Sequence, residues 1–294
     1  MGITDLTGFS KLRLRPLAGA DGPVAVRLAA EAGWNQNAAD WTYLLANGLG
    51  WGYEDETGQL GATAMIMPYG GAVAWIGMVL VAVPWRKRGI ATALLRHCLR
   101  EAEDRGWAPG LDATEAGRKV YLPLGFADIY PLTRFIAEPV APVRGPDGSG
   151  CRPMTETDLA MVTTLDESTF GAQRRDLLAH LLGRAPRCAW VVERGGRLSG
   201  FCLGRDGREA DQIGPVIAAD AAAAAALCTR ALAARAEPDR RVYIDAVDRH
   251  TEFAASLRAA GFVKQRGFMR MLKGRNEPIG GPAPAFAIAG PELG

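Results

Sequence analysis

The sequence predicts an α/β fold built as two tandem copies of one unit, and three observations predict it. The chain has 294 residues, more than a usual single domain of roughly 100 to 200 residues. A Pro- and Gly-rich stretch near its middle, 139–150, breaks the apolar periodicity and reads as a surface linker. Blocks of strand and helix pattern on one side of that stretch recur in the same order on the other.

The first block is the apolar run Trp51 to Met67, broken by the turn formers Asp55-Glu56-Thr57-Gly58, which reads as a hairpin. Its counterpart is Ala189 to Gly204, broken at Arg194-Gly195-Gly196. The second block, Ile76-Gly77-Met78-Val79-Leu80 followed by an Ala- and Leu-rich helix to about Asp104, is matched by Ile213-Gly214-Pro215-Val216-Ile217 and a helix to about Ala236. The third runs from Leu111-Asp112-Ala113 through a helix to Leu124-Gly125-Phe126 and recurs as Ile244-Asp245-Ala246, a helix and Ala260-Gly261-Phe262. In each copy the glycine closes a helix before a further strand. The predicted organisation is a first domain over 1–138, a linker over 139–150, a second domain over 151–274 and a tail over 275–294, whose stretch Pro282 to Gly294 is too apolar for a free end and is expected on a domain surface or extending a sheet.

Composition narrows the function classes. Hydrophobic residues make up 48% of the chain at a formal net charge of only +2, which describes a globular protein and implies no nucleic-acid partner. No segment approaches the ~20 uninterrupted apolar residues of a membrane span, and Met1 to Ser10 carries no apolar stretch behind a basic leader. The expected location is the cytoplasm. The 5 cysteines are scattered without a Cys-x-x-Cys pair, and the 3 histidines, His97, His180 and His250, have no partner at ligand spacing. Neither a disulfide framework nor a metal site is expected.

The segment WIGMVLVAVPWRKRGIATALLRHCLREAE carries the chemistry. An apolar strand passes through a proline and three basic residues into a glycine and then directly into an amphipathic helix. First-turn amides have no intrahelical partner and lie at the positive end of the helix dipole, so they can hold a pyrophosphate. Gly89 and Ala91 allow close approach, and Arg86, Lys87 and Arg88 add positive charge. No Gly-x-x-x-x-Gly-Lys-Ser/Thr is present and no Gly-x-Gly-x-x-Gly follows a strand, which disfavours a kinase or a dehydrogenase.

This segment resembles motif A of the GCN5-related N-acetyltransferases, whose pattern Arg/Gln-x-x-Gly-x-Gly/Ala is met by Arg86, Gly89 and Ala91. A second segment, LDATEAGRKVYLPLGF, resembles that family's Tyr-x-x-x-Gly-Phe motif, with Tyr121 four residues before Gly125. The resemblance implies a mixed, mostly antiparallel twisted sheet in each domain, with a splayed central strand pair flanked by helices. It implies acetyl-CoA as cosubstrate, with no metal. The backbones of Val79, Leu80 and Val81 would hydrogen-bond the pantetheine arm as an added strand does. Residues Arg86, Lys87, Arg88, Gly89, Ile90, Ala91 and Thr92 would wrap the pyrophosphate. Thr114 stands where the family often has an Asn that touches the cofactor.

The family chemistry is direct attack of a neutral amine on the thioester, with an amide at or near Val81 stabilising the oxyanion and Tyr121 protonating the leaving thiolate. No general base is assigned: Glu54, Asp55 and Asp112 are the nearby acids, and each reads equally as a turn or strand-end residue. Substrate contacts in the family come from the first helical hairpin, here EAGWNQNAADWTYLL, which makes Trp34 and Asn35 the substrate-binding candidates; packing between helices is the competing role for the tryptophans.

The second copy has lost these tools. Its phosphate loop reads Ala218-Ala219-Asp220-Ala221-Ala222, and Leu257 stands at the position of Tyr121. It resembles the divergent C-terminal domain fused to some of these acetyltransferases. Such a domain either completes the amine pocket with groups such as Asp245, Arg249 or His250, or is a structural cap. The chain is expected to be a monomer acting as an intramolecular pseudo-dimer, or a homodimer. Expected activity is transfer of an acetyl group to a primary amine of a small molecule such as an amino acid or polyamine. The alternatives are an acyl-CoA sensing module without turnover, or a protein amine acetyltransferase.

Overall fold

The computed structural model describes residues 11–138, 150–235, 237 and 239–294. Met1 to Ser10 and residues 139–149, nearly all of the expected linker, lie outside the described residues. The chain divides into two compact units, residues 1–109 and 110–294.

In the first unit, strand β1 (Leu12–Pro16) precedes helices α1 (Gly22–Glu31) and α2 (Ala38–Asn47). Then follow β2 (Leu49–Asp55), β3 (Leu60–Tyr69), β4 (Val73–Val81) and α3 (Ile90–Asp104). The strands pair antiparallel in the order β1-β2-β3-β4. Local chemistry explains the turns. Asp55 Oδ1 accepts from the amides of Thr57 (2.9 Å) and Gln59 (3.0 Å), and Gly58 takes φ +82°, closing the β2–β3 hairpin. Asn37 caps α2 through its side-chain oxygen while Asp40 reaches back to the Asn37 amide at 2.8 Å, a reciprocal capping arrangement. The apolar faces meet in a core that includes Trp41, Met65, Ile66, Trp75 and Leu94, all 1% exposed or less.

The second unit takes in β5 (Ala108–Ala113) from Gly110 onward, α4 (Glu115–Tyr121), β6 (Phe126–Ala137), β7 (Cys151–Pro153), α5 (Leu159–Phe170) and α6 (Arg175–Arg184). It continues with β8 (Trp190–Arg194), β9 (Arg197–Arg205), β10 (Asp211–Ala218), α7 (Ala221–Ala233), β11 (Val242–Val247), α8 (Thr251–Ala259), β12 (Val263–Lys273) and β13 (Ala285–Ala287). Its strand order is β5-β12-β6-β11-β13-β10-β9-β8-β7, antiparallel except where β10 and β11 pair in parallel.

Each block of the repeat folds as expected: β2–β3 answers β8–β9, β4–α3 answers β10–α7, and β5–α4–β6 answers β11–α8–β12. The compact units are nevertheless cut between Pro109 and Gly110, not at the expected linker. The reason is strand exchange. β12, the last strand of the second copy, lies between β5 and β6 of the first, and β6 in turn pairs with β11. Of the two places expected for the tail it takes the sheet: β13 enters between β11 and β10, and Phe286, Ile288 and Leu293 are buried.

A further feature recurs in both copies. Arg15 Nη1 and Nη2 hold Asp21 at 2.8 and 2.7 Å, and its Nε holds Glu54. Arg152 holds Asp158 at 2.8 Å through both terminal nitrogens, and its Nε holds Glu193 at 2.9 Å. The hydrogen bonds from Arg152, with the Thr155 amide behind them, hold the Asp158 carboxyl down at about 2. A lowered carboxylate pKa contributes stability that is complete above the ordinary value of 3.8 and is lost as pH falls toward about 2. Asp158→Asn is therefore expected to flatten the acid limb of stability across that window. Urea midpoints measured at stepped pH check it, and equal slopes for variant and parent would contradict it.

Candidate active site

Within the first unit, β4 is not a regular strand. Thr63 stands opposite Leu80 while Met65 stands opposite Gly77, so one extra residue is accommodated between them. Met78 takes φ +51° there, and Thr63 Oγ1 donates to the Met78 carbonyl at 2.9 Å, pinning the bulge from inside the core. Val79 and Val81 beyond it are half-buried, and Leu80 is buried.

The chain then turns through Val83–Trp85 and reaches α3 by two left-handed residues, Lys87 at φ +61° and Gly89 at φ +84°, with Arg88 between them. Alternation of handedness is the backbone pattern of anion-binding nests. Gly89 is the N-cap of α3, where no side chain caps the helix, and Ala93 N on the Gly89 carbonyl (3.0 Å) begins the ladder. The amides of Ile90, Ala91 and Thr92 precede that first bond and have no intrahelical acceptor. Exposed side chains of Lys87 and Arg88 stand beside them. This donor set fits a pyrophosphate: several amides at a helix N-terminus, flanking cations, and a position where a Cβ would be strained.

Arg86 does something the sequence did not indicate. Its Nε donates to the Val81 carbonyl at 2.9 Å and its guanidinium lies 3.8 Å from Glu31 Oε1, which also accepts from the Val83 amide. Arg86 braces the loop against the strand end, which makes it a positioning residue for the amides. Ile90 has only its amide to offer a ligand, since its side chain is in the core.

Of the expected substrate contacts, Trp34 is half-buried and Asn35 is 2% exposed, both in the α1–α2 connection. Trp41 is a core residue with no exposure at all.

Within the second unit, Tyr121 ends α4. Its ring packs over Gly117, where a Cβ would come within 2.9 Å of it, and lies 5.9 Å from the Phe126 ring. Burial pushes its hydroxyl up to about 12, so it carries its proton throughout the neutral range. Thr114 is the N-cap of α4, with Oγ1 accepting from the Gly117 amide at 3.2 Å. That oxygen serves the helix.

The acids considered as bases are engaged. Glu54 belongs to the Arg13–Arg15 cluster, and Asp55 closes its hairpin turn. Asp112 is fully buried and accepts from Arg270 Nε at 2.9 Å and Nη2 at 2.8 Å; burial pushes its carboxyl upward against that cation. Asp245 is held in the same bidentate way by Arg134, at 2.7 Å twice, with Gln212 at 3.0 Å. The two pairs are reciprocal: an arginine eight residues past each Gly-Phe reaches the strand aspartate of the other copy. The equal offset of the two arginines is the one sign of these pairs in the sequence. His250 stacks on Phe286 at 3.8 Å and Arg249 lies over the Tyr130 ring at 4.8 Å.

The equivalent turn of the second copy is closed by its own cap. Asp220 occupies the N-cap of α7, accepts from the Ala223 amide at 2.9 Å and pairs with Arg194. Leu257 is buried. Among the described residues there is no cluster of three His, Cys, Asp or Glu able to hold a metal, and no helix long and apolar enough to cross a membrane.

Comparisons with known proteins bear on the family and the fold. A model of the acetyltransferase (GNAT) family matches residues 25–126, and a model of an acetyltransferase (GNAT) domain matches residues 162–281. The chain is 26% identical over 240 residues to the uncharacterized N-acetyltransferase YitH of Bacillus subtilis (strain 168), covering 81% of this chain and 83% of that one. Its fold resembles a putative acetyltransferase from Pyrococcus horikoshii with a TM-score of 0.78 at 18% identity, covering 100% of this chain and 99% of that one. A tandem GNAT protein from the clavulanic acid biosynthesis pathway is similar with a TM-score of 0.63 at 17% identity, over 89% and 98% of the two chains. At such identities the structures show a shared fold.

Proposed function

We infer, for a chain that carries two GNAT acetyltransferase domains in tandem, an N-acetyltransferase that takes acetyl-CoA at its first copy and acetylates a primary amine of a small molecule. The observation that carries this reading is the first copy's helix N-terminus, uncapped at Gly89 and entered through left-handed residues, beside the same helix end in the second copy stopped by Asp220. Anion binding is preserved where the chemistry is needed and abandoned where it is not.

In this reading the amides of Ile90, Ala91 and Thr92 hold the pyrophosphate, with Lys87 and Arg88 supplying charge and Arg86 fixing the loop. The backbone from Val79 to Val81 takes the pantetheine arm as an added strand. The cosubstrate supplies an activated thioester, so no enzyme nucleophile is required. Tyr121 holds a proton on its hydroxyl for the leaving sulfur. Trp34 and Asn35 contribute to the amine side, and Thr114 supports α4.

Calorimetric titration with acetyl-CoA, followed by thiol release with an amine panel, tests the reading. Gly89→Asp forces a side chain into φ +84° and adds an anion at the phosphate position. It is expected to weaken binding by roughly tenfold or more, since strain at such a position costs about 1–3 kcal/mol before repulsion is counted. Binding that is unaffected by Gly89→Asp would move the site elsewhere. Binding without thiol release from any amine would favour the sensing module.

A further inference from the structure

The two copies use the same strand differently. Counting from the bulge, Val79, Leu80 and Val81 of β4 correspond to Val216, Ile217 and Ala218 of β10. The second bulge is real: Ile213 stands opposite Gly204 while Val216 stands opposite Cys202, so Gly214 and Pro215 take the place of Gly77 and Met78. β10 and β11 pair in parallel only over Asp211–Ile213 and Val242–Ile244. Beyond the bulge they part, and β13 lies between them.

The contacts of that strand are those of an added chain. Ala287 stands opposite Val216 on one side and Ala246 on the other, and Ala285 stands opposite Ile217. The Ala218 amide donates to the Pro284 carbonyl at 3.0 Å, and the Ile288 amide donates to the Asp245 carbonyl at 3.0 Å. A Cβ on Gly214, which has φ +152°, would come within 2.0 Å of the Ile288 carbonyl oxygen, so this position admits the segment only as glycine. Phe286 is 3% exposed in the core of the second copy, stacked on His250 and edge-on to Phe253 at 5.5 Å. Farther along, Glu292 pairs with the buried Arg205, and Arg174 Nη1 donates to the Leu293 carbonyl at 3.2 Å.

We propose that Pro284–Ile288 is a resident peptide ligand. It fills, in the second copy, the strand-addition site that the pantetheine arm takes on Val79–Val81 of the first, and leaves each chain with one acyl-CoA site. The inference rests on the acyl-CoA reading for its comparison. The ligand class is an extended peptide read through its backbone, with Phe286 and Ile288 as its buried anchors. With β13 in place, the amide of Ala218 and the carbonyl of Asp245 are already satisfied, so no second ligand can use them. Asp220 on the adjoining helix is consistent with a wedge that no longer receives phosphates.

Hydrogen exchange on the full chain, with and without saturating coenzyme A, and calorimetric stoichiometry with the same probe test this. The Ala218 and Ile288 amides are expected to exchange as slowly as those of Ile213 and Ile244 and to change by less than about twofold on adding coenzyme A, with about one equivalent bound. Fast exchange at both amides without ligand would overturn the proposal. So would about two equivalents bound with protection lost at Ile288, because the segment would then be a displaceable gate. Absence of any binding would defeat the acyl-CoA reading alone, and slow exchange at the two amides would still assign the segment to the wedge.

Discussion

Tyr121→Phe is expected to lower kcat by about 10²–10⁴-fold, with acetyl-CoA affinity held within about threefold. The substitution removes one proton and keeps the ring that packs on Gly117 and faces Phe126, so a loss confined to kcat would report proton transfer. Burial raises the hydroxyl to about 12. The group is therefore protonated across the neutral range, and it adds no falling limb to the pH–rate profile below about pH 11. An active-site acid at its ordinary value of 10.0 would begin to cost activity earlier. Stopped-flow thiol release across pH separates the two. Parental rates in the phenylalanine variant would remove Tyr121 from the mechanism and favour the sensing module.

Asp245→Ala is expected to destabilise the protein by about 3–5 kcal/mol, since it strands the buried Arg134 guanidinium without its carboxylate. A combined Arg134→Met, Asp245→Leu variant should recover most of that loss, because removing both charges abolishes the desolvation cost along with the attraction. Urea denaturation of the parent, the single and the double variant decides it. A mild effect of Asp245→Ala would mean that Arg134 finds water or another acid. An amine-pocket role for Asp245 is not supported by its geometry, with both oxygens engaged and no exposure; its fold role links the two copies, as Asp112 and Arg270 do from the other side.

Much of the candidate site was legible because its signals are local. The basic turn into Gly89, the apolar strand before it and the helix after it are contiguous in sequence, and close approach to a helix end is written in a single glycine. The lost tools of the second copy were legible for the same reason, as Asp220 and Leu257 stand at countable offsets. Three things were not. Arg86 turns back to Val81 and Glu31, Thr114 caps a helix, and Glu54 and Asp112 are held by arginines. Each depends on which side chain lies nearest in space, and residue type alone does not report that.

By itself the sequence determined that the chain is a duplicated α/β unit, with a basic glycine turn entering the helix of the first copy and an aspartate at that place in the second, because hydrophobic period, glycine conformation and charge act within a few residues. Only the tertiary structure decided that the copies exchange strands, with β12 between β5 and β6, and that the apolar tail enters the sheet at β10. Ladder hydrogen bonds are made by backbone groups that every residue but proline shares, so an apolar strand does not name its neighbour. The choice falls to whichever arrangement buries all the apolar faces and pairs the buried charges, here Asp112 with Arg270 and Asp245 with Arg134.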